Sequence, residues 1–269
     1  MGVLVTLTAI FYLAPLGTGL DSIIFDQAMH RFLSGQSPYI PYGADHQGYF
    51  YPPWASLVIA PLTLLPERFT WAFTNAMSIA SVAILGMYFK LGRVKTVLVM
   101  LSPAMIFNLW MGQIDGLFLL GILLPEEYWL LVASMKPQLL LGLAPLGLTA
   151  RDKCLKTLFI TLGIGGMSLV VWGLWPLEVL HLAQSQFATE QPQVFLQFLW
   201  PNQLIVGIGL LVVNLRLRDI RLALAASPFL ARYASHGSYI GVVLALAASV
   251  KHYELFFILC VWWVVILLR

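Results

Sequence analysis

The chain reads as a succession of apolar runs separated by short polar or proline-bearing breaks. The runs fall near 3–16, 54–65, 69–89, 96–111, 114–124, 128–135, 138–150, 155–175, 198–213, 222–231, 239–250 and 255–268. A helix that crosses a hydrocarbon core of about 30 Å needs about 20 apolar residues. Only 69–89 and 155–175 reach that length with ease, so the other runs predict short, broken or tilted helices. Pro103, Pro125, Pro137, Pro145 and Pro228 supply the breaks, because proline removes a backbone donor and collides with the turn before it. Irregular backbone at membrane depth survives only where protein buries it or where it lines a watery cavity. The pattern therefore predicts an all-α, polytopic transmembrane helix bundle of roughly 10–12 membrane segments around a cavity. It reads as one domain over residues 1–269.

One stretch departs from this pattern. "GLDSIIFDQAMHRFLSGQSPY", Gly19 to Tyr39, carries two aspartates, a histidine and an arginine directly after the first apolar run. On a helix, Ile24, Phe25, Ala28, Met29, Phe32 and Leu33 fall on one side, and Ser22, Asp26, His30 and Ser34 follow the i, i+4 row on the other. That is the pattern of a juxtamembrane helix lying in the interface, within a first external loop spanning 18–53. Gly35 suits a left-handed C-terminal position and Pro38 blocks continuation. Asp21 stands at the start, where its plain structural role is an N-cap. Asp26 reads as a solvated polar-face residue.

Composition agrees with the pattern. Of 269 residues 60% are hydrophobic and 10% charged, against roughly 25% charged in soluble domains. The net charge of +3 is too small and too scattered to suggest nucleic acid. Cys154 and Cys260 have neither metal-ligand nor redox spacing. Residues 1–16 lack the positive n-region of a cleavable signal. Basic residues then orient the bundle. Arg151, Lys153 and Lys156 share one short loop, and Arg216, Arg218 and Arg221 another, so both face the cytoplasm. Pro176 to Gln203 holds no Lys or Arg and belongs outside. Lys90, Arg93 and Lys95 also want the cytoplasm; with the opening stretch outside, 54–65 dips in and returns.

Further segments carry chemistry: "SPYIPYGADHQGYFYPPWASLVIAPLTLLP", "SPAMIFNLWMGQIDGLFLLGILL", "SMKPQLLLGLAPL" and "ASPFLARYASHGSYI". An early Asp, G-x-x-PY, YPP, a PL…LP pair, GQ followed by an acid, and KPQ occur in that order over roughly residues 18–240. In this order they resemble the glycosyltransferase C superfamily, above all the polyprenyl-phosphate-mannose-dependent mannosyltransferases of glycosyltransferase family 87. The resemblance extends more distantly to dolichyl-phosphate-glucose transferases. It implies an active site on the non-cytoplasmic face and an essential acid in the first external loop, here Asp21. It implies an integral protein of a prokaryotic cytoplasmic membrane that moves a hexose, mannose in the nearest family, from a polyprenyl-phosphate donor to a lipid or glycan acceptor. Members of that family are expected to be longer, which leaves open a compact enzyme, a degenerate paralogue, or a subunit that kept the fold and lost the reaction.

The chemistry asks for little. A sugar on a polyprenyl phosphate carries its own leaving group, so the enzyme supplies a base for the acceptor hydroxyl and positive charge for the phosphate. No G-x-G-x-x-G, GxxxxGK[ST] or DxD pattern marks a nucleotide site, and no cofactor or metal is expected. A single carboxylate suits direct displacement with inversion. Asp21 is the candidate base. Lys136, Arg232 and His236 are candidates for the donor phosphate; the alternatives are a snorkelling Lys136 and headgroup anchoring by the other two. Gln113, Asp115 and Gln138 are candidate substrate contacts, though Gly112 and Gly116 around the first two also form a packing G-x-x-x-G. Tyr39, Tyr42, Tyr49, Tyr51 and Trp54 form either a sugar-stacking wall, with Tyr39 and Tyr51 foremost, or an interfacial aromatic belt. Asp45 and His46 have no metal-ligand companions in sequence. The competing functions are a non-catalytic membrane subunit within a larger assembly and, third, a transporter, against which no inverted repeat is visible.

Overall fold

The computed structural model describes residues 2–40, 48–57, 60–149, 153–189, 201–232 and 234–268, and among these there is no strand. Tyr42, Asp45, His46 and Arg151 lie outside the described residues. In chain order the helices are α1 (Gly2–Leu13), α2 (Leu20–Leu33), α3 (Pro53–Leu57), α4 (Glu67–Tyr88), α5 (Gly92–Met100), α6 (Pro103–Met111), α7 (Asp115–Leu119) and α8 (Trp129–Met135). There follow α9 (Pro137–Leu140), α10 (Ala144–Thr149), α11 (Cys154–Trp172), α12 (Trp175–Thr189), α13 (Gln203–Leu217), α14 (Ile220–Leu230), α15 (Ile240–Ser249) and α16 (His252–Leu267).

Two helices, α4 and α11, are long and apolar enough to cross a membrane, and α5 with α6 makes a third candidate bent by 50°. The bend falls at Pro103, one of the breaks expected within the run 96–111. Pro103 occupies the first turn of α6, and Ser102 caps it by accepting a bond from the Met105 N–H at 3.2 Å. A proline at that position forgoes a donor that would have no helical partner anyway. The 3₁₀ turns at 120–123, 126–128 and 141–143 break the apolar runs near Pro125, Pro137 and Pro145, whereas Pro228 lies inside α14 and makes no break.

The central helix is α4. It buries Ala72, Thr74, Asn75, Ala76, Ser78 and Ser81, small residues that let neighbouring backbones come close. A Cβ on Gly116 would stand 3.0 Å from the Ser78 backbone, which accounts for the packing side of the glycine pair. By contrast α11 shows Leu155, Phe159, Leu162 and Val170 to its surroundings and buries only Thr157 and Ser168.

The helix ends sort the polar residues. At one end Lys153 meets Glu126 at 3.4 Å, Lys156 meets Glu127 at 2.6 Å, and Arg218 reaches Glu126 at 3.6 Å. The two basic loops therefore do share an end. At the other end the N–H of Thr18 bonds to the Trp110 carbonyl at 2.9 Å, and Arg68 Nε donates to the Tyr12 carbonyl at 2.8 Å. Those contacts lie at the start of α4; Lys90, Arg93 and Lys95 follow its other end, about 33 Å away for 22 residues.

Candidate functional site

The site grows from the first turn of α2. Gly19 precedes that helix in the left-handed conformation, φ 64°, with no side-chain cap, so Asp21 belongs to the first turn and is not its N-cap. Gly19 has to be small: a Cβ there would stand 2.7 Å from the Trp71 ring. Past the other end Gly35 is left-handed at φ 73°, as expected, and the Gln36 N–H closes on the Arg31 carbonyl at 2.9 Å. The faces of α2 differ from expectation at both margins. Ser22 is buried with Phe25, Ala28 and Met29, whereas Leu33 is 62% exposed. Asp26 is half-buried rather than solvated. It lies 3.5 Å from His30, and burial lifts its carboxyl above the usual range although His30 opposes this.

Asp21 meets residues from three other segments. Its half-buried side chain lies within the fields of Lys136 and Asp115, with the Gln113 side chain in hydrogen-bonding reach. Burial is the largest influence and raises its pKa to about 6; Lys136 opposes the rise, Asp115 adds to it, and the Gln113 hydrogen bond opposes it. Gln113 follows Gly112, the left-handed end of α6 at φ 67°, and Asp115 opens α7. Lys136 stands in the break between α8 and α9. It is 1% exposed and forms an ion pair with Asp115, which is fully buried. This excludes snorkelling for Lys136. It also corrects the picture of an isolated cation, because Asp115 is its counter-ion. Lys136 Nζ further lies 5.3 Å from the centroid of the Tyr51 ring.

Several buried atoms around the cluster have no protein partner: Asp115 Oδ2, Gln113 Oε1, and both side-chain polar atoms of Asn108. Buried polar groups without partners are uncommon in folded proteins. Gln113 and Asn108 both approach Gly237. The 235–239 turn closes that side. Gln113 Nε2 donates to Ser235 Oγ at 3.4 Å. A Cβ on Gly237 would collide with Gln113 Oε1.

The remaining candidates lie around this centre. Tyr39 donates from its hydroxyl to the Tyr51 carbonyl at 3.0 Å and stacks on Trp175 at 6.3 Å. Tyr49 is 1% exposed and packs on Phe25, Tyr39 and Tyr51, so it belongs to the core and not to a sugar-facing wall. Trp54 lies edge-on to Trp175 at 5.4 Å. His236 lies against Phe107 at 5.3 Å, Arg232 is exposed at the entry to that turn, and Gln138 is half-buried on α9. Two contributors carry no signal in their own segments: Glu178 on α12, which contacts Ser37, and the Trp172–Phe32 edge contact at 6.0 Å. They bring α11 and α12 over the first loop. Among the described residues no group of three His, Cys, Asp or Glu side chains is placed to hold a metal ion.

No family model, curated protein or solved structure matches the chain.

Proposed function

We propose that the chain is a polytopic membrane glycosyltransferase that moves a hexose from a polyprenyl-phosphate carrier to a lipid or glycan acceptor. The observation that carries this reading is the meeting of half-buried Asp21 with the buried Asp115–Lys136 ion pair. Ionisable groups enclosed among apolar membrane segments are expensive and mark function by default. A base is most effective when its pKa lies near the working pH, and burial has moved Asp21 in that direction, to about 6. In the proposed reaction the acceptor hydroxyl attacks the anomeric carbon and passes its proton to Asp21. The bond from that carbon to the phosphate oxygen breaks, with inversion, and the polyprenyl phosphate departs beside Lys136.

Two further features support the reading. The loops bearing Lys153 and Arg218 meet at Glu126, and the positive-inside rule assigns that end to the cytoplasm. A groove of about 560 Å³ runs between α1 and α4, lined by Val5, Ala9, Leu13, Phe69 and Phe73 among others. It suits an isoprenoid chain, and the Tyr12–Arg68 contact links it to a second hollow that includes Gly19 and Trp71.

One observation favours the competing reading of a non-catalytic subunit: Lys136 already has a counter-ion and needs no phosphate to justify its burial. Transfer assays separate the two. Purified protein in nanodiscs, given a radiolabelled polyprenyl phosphomannose and a mixed glycolipid acceptor pool, should release polyprenyl phosphate in a manner abolished by Asp21→Asn. Turnover by the Asp21→Asn variant at the wild-type rate would remove Asp21 from the reaction. Equal release from wild type and from protein-free discs would favour the subunit.

A further inference from the structure

The cluster holds two carboxylates and one ammonium, so with all three ionised its net charge is negative before any donor arrives. A phosphate diester is itself an anion. It cannot take the Lys136 ammonium while Asp115 remains a buried carboxylate, because that leaves an unpaired charge in a water-poor site. Resting on the function proposed above, we infer that the donor phosphate displaces Asp115 from Lys136 and that Asp115 takes up a proton from solvent as it does so. The exchange balances. A Lys136 ammonium–Asp115 carboxylate pair, a phosphate diester anion and one proton become a Lys136 ammonium–phosphate pair and a neutral Asp115 carboxylic acid.

The geometry prepares both states. Asp115 Oδ1 faces Lys136 while Oδ2 is buried without a partner. A protonated Asp115 therefore has a buried oxygen free to carry the proton. Tyr51 holds the ammonium from a second side through its ring face and does not compete as an anion. The other titratable groups facing the cluster are Asp21 from α2 and Tyr51 itself. Asp115 is thus a positioning residue: it stores Lys136 in the empty site and releases it when the donor arrives.

The test measures donor binding as a function of pH. The probe is a short-chain isoprenyl phosphomannose, a diester with constant charge, titrated into the protein in nanodiscs between pH 6.5 and 8.5. Calorimetry in two buffers of different ionisation enthalpy counts the protons. Linkage of one proton to binding weakens wild-type affinity by about tenfold per pH unit, with uptake of about one proton per donor bound. Asp115→Asn should bind with little pH dependence and no uptake, and more tightly than wild type at pH 8.5. Asp21→Asn and His236→Gln should keep the wild-type slope. A wild-type affinity flat across this range, or a slope that survives in Asp115→Asn, overturns the inference while leaving the transfer reading intact. Absence of diester binding at every pH overturns the transfer reading itself.

Discussion

Replacing Lys136 by Met while keeping Asp115 exposes the energetics of the cluster most directly. Lys136 is 1% exposed and Asp115 fully buried, so the substitution strands a carboxylate with no cation on its own side of the site. Breaking one partner of a buried pair costs about 3–5 kcal/mol. For a chain of this size that corresponds to a fall in apparent Tm on the order of 6–20 °C. Replacing both partners behaves differently, because a buried pair exchanged for well-packed apolar residues is often neutral. The double variant Lys136→Met, Asp115→Leu should therefore recover most of the loss. The assay is thermal unfolding of the two single variants, the double variant and wild type in one detergent, followed by tryptophan fluorescence. The chain has nine tryptophans, and Trp71 packs between Gly19 and Gly112 next to the cluster. A Lys136→Met loss below about 1 kcal/mol, the size of an average substitution, or a double variant no more stable than the worse single one, would refute the buried pair.

Other outcomes follow from the same geometry. Asp21→Asn should lower transfer by about 10²–10⁴-fold, the usual scale of general-base catalysis, with unfolding unchanged, since Asp21 does not cap α2; an equal loss of folding would point to structure instead. An acid raised to about 6 is ionised and competent only above that value, so transfer at saturating donor should rise with pH through about 6 and then level off; a rise centred near 4 would assign the base elsewhere. In a background without Cys154 and Cys260, single cysteines at the exposed positions Thr18 and Ser37 should react with an impermeant thiol reagent from outside, and Arg93 and Lys153 positions only from inside. Labelling of both pairs from the same side would undo the orientation.

Much of this site can be read in the chain, and the reason lies in one local symmetry. Asp115 stands ten residues before Pro125, and Lys136 ten residues after Glu126. A turn at Pro125–Glu126 folds two runs of equal length against each other, so their far ends must meet at one depth. The isolation of Lys136 in apolar sequence makes it conspicuous. Recognising Asp115 as its counter-ion requires the hairpin as well. What sequence periodicity misses lies at the margins of α2. Ser22 belongs to the polar row by helical spacing but is covered by tertiary packing, and Leu33 belongs to the apolar row but projects from the last turn. Hydrophobic patterning assumes a single buried direction, whereas α2 is covered by α3, α4 and α6. The capping role expected of Asp21 fails for a related reason. Gly19 must be glycine to pass Trp71, and its left-handed turn starts the helix two residues earlier than a capping Asp21 would.

The broken helices explain how a charged cluster is tolerated at all. Asp21, Gln113, Asp115 and Lys136 each lie within a residue or two of a helix end. At such ends the first N–H and last C=O groups lack helical partners, so polar backbone and polar side chains share one solvation problem. An unbroken 20-residue span would bury the same side chains among saturated backbone and lipid. The breaks at Gly112 and Pro137 instead place free backbone ends and ionisable side chains in one protein-lined recess. That recess leaves Asp115 Oδ2, Gln113 Oε1 and the Asn108 amide unpartnered. In the transfer site proposed above, those acceptors are there to receive hydroxyls and the lysine beside them an anion.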